Sequence, residues 1–227
     1  SLHILFGSQS GNSEDLAVKF GKQAKSYGLE STVHDMDGFD FASLASMSRV
    51  LIICSTWGEG EQPDNAEDLW NIANSDGAPS LAKTNFSVCA LGDTSYELFC
   101  ESGKEWDNRF EELGGTRLVA RVDCDVDYDA PSAIWTESVL AHMAAVDGNG
   151  TFQPELVESI IAEMEGSGES SVDGDDGFVV PSHAVLYRQY KGESAETVFE
   201  KIKDGTIEMR GQCLDQHDVV QKEGSEN

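Results

Sequence analysis

The chain has 227 residues, enough for one full domain and an extension. Its 42 acidic residues against 15 basic ones give a formal net charge of −27, which argues against a nucleic-acid partner because phosphate is repelled by such a surface. No apolar run is long enough to span a membrane, and the five cysteines (Cys54, Cys89, Cys100, Cys124, Cys213) show neither CxxC pairing nor metal-ligand spacing, so they read as reduced thiols of a cytoplasmic protein.

Strand and helix patterns alternate through the first two thirds of the chain. Residues 2–6 form a short apolar strand, and 13–27 carry Leu16, Val18 and Phe20 at helical spacing. A strand follows at 30–35. Residues 50–54 are a continuous apolar run, expected of a strand buried on both faces. Next come a helix at 65–73, a strand at 86–91, and a helix at 103–113 stopped by Gly114-Gly115. A fifth strand is expected at 118–123 and a closing helix at 133–146. Five strands interleaved with helices imply an α/β, doubly wound parallel sheet, with order 2-1-3-4-5 and helices on both faces.

Beyond residue 146 the composition changes. Residues 147–177 read as an acidic linker containing Gly and Ser, with one helix expected at 154–164 inside it. The tail, 178–227, has no assigned role; 184–190 suit a strand and 195–203 a helix. The chain opens at Ser1 and enters its first strand at once, without a signal peptide, as a module of a longer polypeptide would.

Three loops carry the chemistry, each after an apolar strand. Gly7-Ser8-Gln9-Ser10-Gly11-Asn12-Ser13 leads into a helix, whose free N–H groups and positive dipole end suit a phosphate. Ser8, Ser10, Asn12 and Ser13 add side-chain donors, and Gly7 and Gly11 let the backbone come close. No Lys follows Gly11 and there is no GxGxxG, so neither a triphosphate loop nor a dinucleotide loop is indicated. Ser55-Thr56-Trp57-Gly58-Glu59-Gly60 offers an aromatic face and a glycine peptide able to flip toward a ring edge. Gly92-Asp93-Thr94-Ser95-Tyr96-Glu97-Leu98-Phe99-Cys100 offers a second face in Tyr96, with Asp93 and Cys100 at the ring edge. Together the loops suit a phosphate-tailed planar cofactor, FMN rather than FAD or NAD, at the carboxyl edge of the sheet.

The third loop continues as Glu101-Ser102-Gly103-Lys104. With Glu112-Leu113-Gly114-Gly115-Thr116-Arg117-Leu118 and Arg121-Val122-Asp123-Cys124-Asp125-Val126-Asp127-Tyr128, it resembles the flavoprotein component of NADPH-sulfite reductase. The second loop, with Gln62-Pro63-Asp64-Asn65-Ala66, is similar to the FMN domains of diflavin reductases generally, including the NADPH-hemoprotein reductases. The resemblance covers residues 2–145 and implies a flavodoxin-like FMN-binding domain over 1–146. It implies that Ser8, Gln9, Ser10, Gly11, Asn12 and Ser13 hold the phosphate. Trp57 and Tyr96 would sandwich the ring. Ser55, Thr56, Gly58, Gly60, Leu91, Gly92, Asp93, Phe99 and Cys100 would wall it, and one acid, Asp123 or Asp125, would approach it. Trp57 departs from the sulfite reductase pattern toward that of flavodoxins.

The resemblance implies an oxidoreductase module with no catalytic acid, base or nucleophile and no metal of its own, since the cofactor carries the chemistry. Electrons would come from a FAD/NADPH-binding reductase domain and leave to a heme or siroheme protein. The tail lacks the Arg-x-Tyr-Ser pattern of a reductase FAD domain, so the hydride-accepting half is expected elsewhere. A free-standing flavodoxin-type carrier and a flavin-free interaction module are the alternatives. The acidic charge fits either steering toward a basic partner or a surface suited to a saline environment.

Overall fold

The computed structural model describes residues 1–167. The expected strand and helix over 184–203, and Cys213, lie outside the described residues. Strand β1 (Leu2–Gly7) runs parallel to both β2 (Ser31–Asp35) and β3 (Arg49–Ser55). Strand β4 (Asn85–Leu91) pairs with β3 and with two short strands, β5 (Thr116–Arg117) and β6 (Val122–Cys124). The order is 2-1-3-4-5, as the alternation of elements predicts. Val50–Cys54 is buried, as its continuous apolar run requires, and so is all of β4, including the polar Asn85 and Ser87.

Helices α1 (Asn12–Ala24) and α4 (Asp129–Ala144) cover one face of the sheet; α2 (Asp64–Ala73) and α3 (Glu101–Glu112) cover the other. Leu16 and Phe20 pack with Trp135, Val139 and Leu140 in one core layer. Leu69 and Ala73 pack with Trp106 and Phe110 in the second. Each layer buries whole aliphatic and aromatic side chains, at about 1.5–3 kcal/mol apiece. Helix α3 stops where expected: Gly114 takes φ +92°, and its N–H donates to the Glu111 carbonyl at 2.9 Å.

The fifth strand differs from the single run expected at 118–123. It is split, because side chains claim the carbonyls between its two halves. Ser87 Oγ donates to the Val119 carbonyl at 2.6 Å, and Trp135 Nε1 to that of Ala120 at 3.2 Å. Arg117 and Arg121 bracket the break and both pair with the buried Asp107, at 2.7 and 2.8 Å.

Residues 147–167, placed within the linker by composition, are structured. Val146 and Phe152 form a bridge around the Asp147–Gly150 turn, and α5 (Val157–Ser167) follows, with Val157 and Ile161 buried. The helix expected at 154–164 is thus present, preceded by one short turn. Arg49 adds to the closure by donating from Nε to the Met143 carbonyl at 2.9 Å and from its guanidinium to the Val146 carbonyl.

Three imidazoles set a pH dependence. His3 Nδ1 lies 3.0 Å from His34 Nε2 on neighbouring strands, and His142 Nδ1 lies 2.8 Å from the Ser138 carbonyl. Burial pushes all three below the usual imidazole range, and His34 adds to the shift of His3. The unfolded chain therefore takes up protons first, near pH 6.5. Stability is expected to fall as pH drops from ~6.5 toward the lower folded values. Glu105, whose carboxyl burial raises, acts in the opposite sense at the acidic end. Urea unfolding at pH 7.5 and pH 5.5 checks this. A His3→Gln/His142→Gln variant should flatten the profile, and an equal slope in the variant would contradict the assignment.

Candidate cofactor site

Strand register brings the three loops together. Gly7 lies opposite Cys54, Ser55 opposite Leu91, and Leu91 opposite Cys124, so four strands end at one level. Above them opens a cleft of about 610 Å³. Gln9, Ser10 and Asn12 line it from the first loop, Ser55 to Glu59 from the second, and Gly92, Asp93, Tyr96, Leu98 and Cys100 from the third. This is the crevice outside the carboxyl ends of strands where open α/β sheets bind ligands.

The first loop ends on Gly11, which takes φ +92° as the residue before α1 and provides no side-chain cap. Ser8 Oγ accepts from the Gly11 and Ser13 N–H groups at 3.0 and 3.3 Å. A hydroxyl oxygen thus stands among amides of the kind that cradle an anion. Ser13 Oγ is buried and has no hydrogen-bond partner. Ser8, Gly11 and Ser13 shape the loop from behind rather than lining the cleft. Gln9 forms a reciprocal pair with Asp64: Asp64 N–H donates to Gln9 Oε1 at 3.0 Å, and Gln9 Nε2 to Asp64 Oδ2 at 3.1 Å.

The second loop is a tight turn. Trp57 N–H donates to the Glu61 carbonyl at 2.9 Å, and the Trp57 carbonyl accepts from Gly60 and Glu61 N–H at 3.1 and 2.8 Å. Gly58 and Gly60 both adopt positive φ, and a Cβ on Gly60 would press on Leu98. The backbone holds the turn, which frees the Trp57 ring. That ring is 51% exposed and the Tyr96 ring 52% exposed, and both line the cleft. Two half-exposed aromatics at one cleft are unusual for a surface with no ligand to take.

At Gly92 a Cβ would stand 2.7 Å from the Cys100 backbone nitrogen, so this wall admits no side chain. Cys100 itself holds φ +57°, uncommon outside glycine, as the residue before α3. Its Sγ contacts the Cys124 carbonyl at 3.6 Å, and burial, aided by the Asp123 charge, pushes the thiol up to about 12. Cys100 is therefore an inert wall. The four described cysteines are free and buried.

Neither acid expected to approach the ring lines the cleft. Asp123 pairs with Arg121, Oδ1 to Nε at 2.6 Å. Asp125 holds the third loop instead: its carboxylate accepts from the Thr94 N–H at 3.0 Å, the Thr94 hydroxyl at 2.5 Å and the Val126 N–H at 2.8 Å. These bonds, the Thr94 hydroxyl first, hold the Asp125 carboxyl below the usual carboxylate range. A carboxylate immediately past the end of β6 finds the backbone N–H groups of its own and the neighbouring loop close by. Gly60 and Phe99 also stand behind the lining. The Phe99 carbonyl accepts from Lys104 Nζ at 2.5 Å. Sequence reasoning missed Glu59, Leu98, Val126 and Tyr128, which line the cleft. The signal for the last two was present: an apolar and an aromatic residue stand inside the acidic run Asp123–Asp129.

Comparison with known proteins agrees with this geometry. The flavodoxin family model matches residues 4–135. The sulfite reductase [NADPH] flavoprotein alpha-component of Bacillus subtilis is 42% identical over 194 residues, 86% of this chain and 31% of the relative. Its counterpart from Vibrio vulnificus is 42% identical over 163 residues, 72% of this chain and 26% of the relative. The chain thus spans less than a third of the length of these curated relatives. Among solved structures, a cysteine-to-serine mutant of flavodoxin from Pseudomonas aeruginosa superposes with TM-score 0.56 at 28% identity, covering 63% of this chain and 97% of that one. Oxidised flavodoxin 2 from Bacillus cereus shares the fold, with TM-score 0.53 at 23% identity over 72% of this chain and 99% of its own. Among the described residues no helix is long and apolar enough to cross a membrane. The matched segment holds all three loops, and the chain belongs to the flavodoxin family, whose cofactor is FMN.

Proposed function

We propose that this chain is the FMN module of an NADPH-dependent diflavin oxidoreductase of the sulfite reductase type, working in the cytoplasm. It relays single electrons from a FAD-bearing reductase domain to a heme or siroheme protein. The observation that carries the reading is the pair of half-exposed aromatics, Trp57 and Tyr96, on one cleft that runs to the start of α1. Bound FMN supplies the one- and two-electron redox chemistry. The residues of the chain bind and orient: α1 and the Ser8–Ser13 loop take the phosphate, Trp57 and Tyr96 the two ring faces, and Gly92 and Cys100 close the inner wall. Gly58, at φ +52°, lines the cleft, and the peptide that follows it is held by the Glu59 N–H donating to Glu61 Oε2 at 2.6 Å; turning it toward a ring edge would break that bond.

The net charge of −27 fits steering toward a basic partner. The test combines this chain, loaded with FMN, with a FAD/NADPH-binding reductase half and follows NADPH-driven reduction of a heme protein as salt is raised. Reduction should require all three proteins and slow steeply with ionic strength, as the reach of the field shrinks to about 8 Å at physiological salt. A chain that accepts no electrons from the FAD half would refute the relay. A rate that rises with salt, in step with folding stability, would assign the charge to a saline-adapted surface. A free-standing carrier is the second reading, favoured by the near-complete coverage of solved flavodoxins. It predicts equal turnover whether or not the chain is fused to the FAD half.

A further inference from the structure

The motif Gln62-Pro63-Asp64-Asn65 lies outside the cofactor-binding set, yet one of its side chains ties three elements together. Asn65, the second residue of α2, accepts the Ser8 N–H on Oδ1 at 2.8 Å. Its Nδ2 donates to Asp35 Oδ1 at 2.8 Å and to the Phe6 carbonyl at 3.4 Å. The amide thus spans the end of β1, the end of β2 and the first loop. Neighbouring Asp64 holds Gln9 by the reciprocal pair described above. Asn65 does not line the cleft. Its effect passes through Ser8, whose N–H it fixes and whose Oγ holds the Gly11 and Ser13 amides. Only a side chain with both a donor and an acceptor can bridge Asp35 to a backbone N–H; a carboxylate in this position would face Asp35.

We infer that Asn65 is a positioning residue that presets the phosphate loop and so makes the site prefer a phosphorylated flavin to its dephosphorylated form. The inference rests on the FMN reading above. Asn65 touches the loop at one end of the cleft only, whereas the ring walls come from the second and third loops. Removing it should therefore weaken recognition of the phosphate and spare recognition of the ring.

The experiment titrates apoprotein with FMN and with riboflavin, which share the ring and differ in the phosphate. In Asn65→Ala the Kd for FMN should rise roughly tenfold, about the weight of one intramolecular hydrogen bond. The Kd for riboflavin should stay within about twofold, the ordinary effect of a surface change. Amide hydrogen exchange in the apoprotein should quicken at Ser8, Gly11 and Ser13. Asn65→Ser stays polar but is too short to span Ser8 and Asp35, and it should lower the preference for FMN in the same sense; it carries the test if the alanine variant does not fold. Equal weakening of both flavins would reduce Asn65 to a structural role and overturn the inference, as would an unchanged Kd for FMN. A wild-type chain that fails to prefer FMN would instead overturn the FMN reading itself.

Discussion

Ser10→Asp is expected to empty the cleft of FMN while leaving the fold standing. Ser10 is exposed, lines the cleft and precedes the start of α1. A hydroxyl there can donate to a phosphate oxygen; a carboxylate cannot, and it adds a charge of the phosphate's own sign. Two unit charges 4 Å apart near a protein surface repel by about 4 kcal/mol, and a phosphate dianion doubles the effect. The single-charge repulsion alone corresponds to a loss of roughly a thousandfold in affinity. The same carboxylate is tolerated by the apoprotein, because acids are favoured near helix starts. Flavin content of the purified variant, with circular dichroism and a thermal melt, checks both halves. Flavin content equal to wild type would place the phosphate elsewhere.

Trp57→Ala should weaken FMN binding by about 1–3 kcal/mol, or roughly 5- to 150-fold, by analogy with base–aromatic stacking. The turn that carries Trp57 is held by backbone bonds to Gly60 and Glu61, which the substitution leaves in place. Loss of affinity therefore reports the ring and not a collapsed loop. Titration of the apoprotein with FMN, followed by flavin fluorescence, measures it. An unchanged Kd would show that Trp57 only packs against its own loop.

The parts of this molecule that could be read from sequence are those fixed by local pattern. Val50–Cys54 of β3 is a continuous apolar run because both faces are covered, and that burial leaves no ambiguity of period. Gly114-Gly115 ends α3 because glycine alone reaches φ +92° cheaply. The fifth strand escaped because its interruption depends on Ser87 and Trp135, which lie 32 and 15 residues away from the carbonyls they bind. The helix expected at 154–164 is present as α5, which packs with α4 and buries Val157 and Ile161.

The site divides in the same way. Glycines and hydroxyls at a strand-to-helix junction announce a phosphate, and lone aromatics in loops announce a ring. The fate of Asp123 and Asp125 was not legible, since Arg121 and Thr94 compete for them over distances that sequence does not give. The role of Asn65 was hidden more deeply. Its partners belong to β1, β2 and the first loop, 30 to 59 residues earlier.

One FMN in one cleft carries the proposed function. The direct measurement is to denature the purified chain, release its flavin and resolve it by chromatography against FMN and FAD standards, with protein quantified in parallel. One FMN per chain and no FAD is the expected result. A chain that carries mainly FAD, or one that stays colourless and takes up no flavin when FMN is added, would contradict the account.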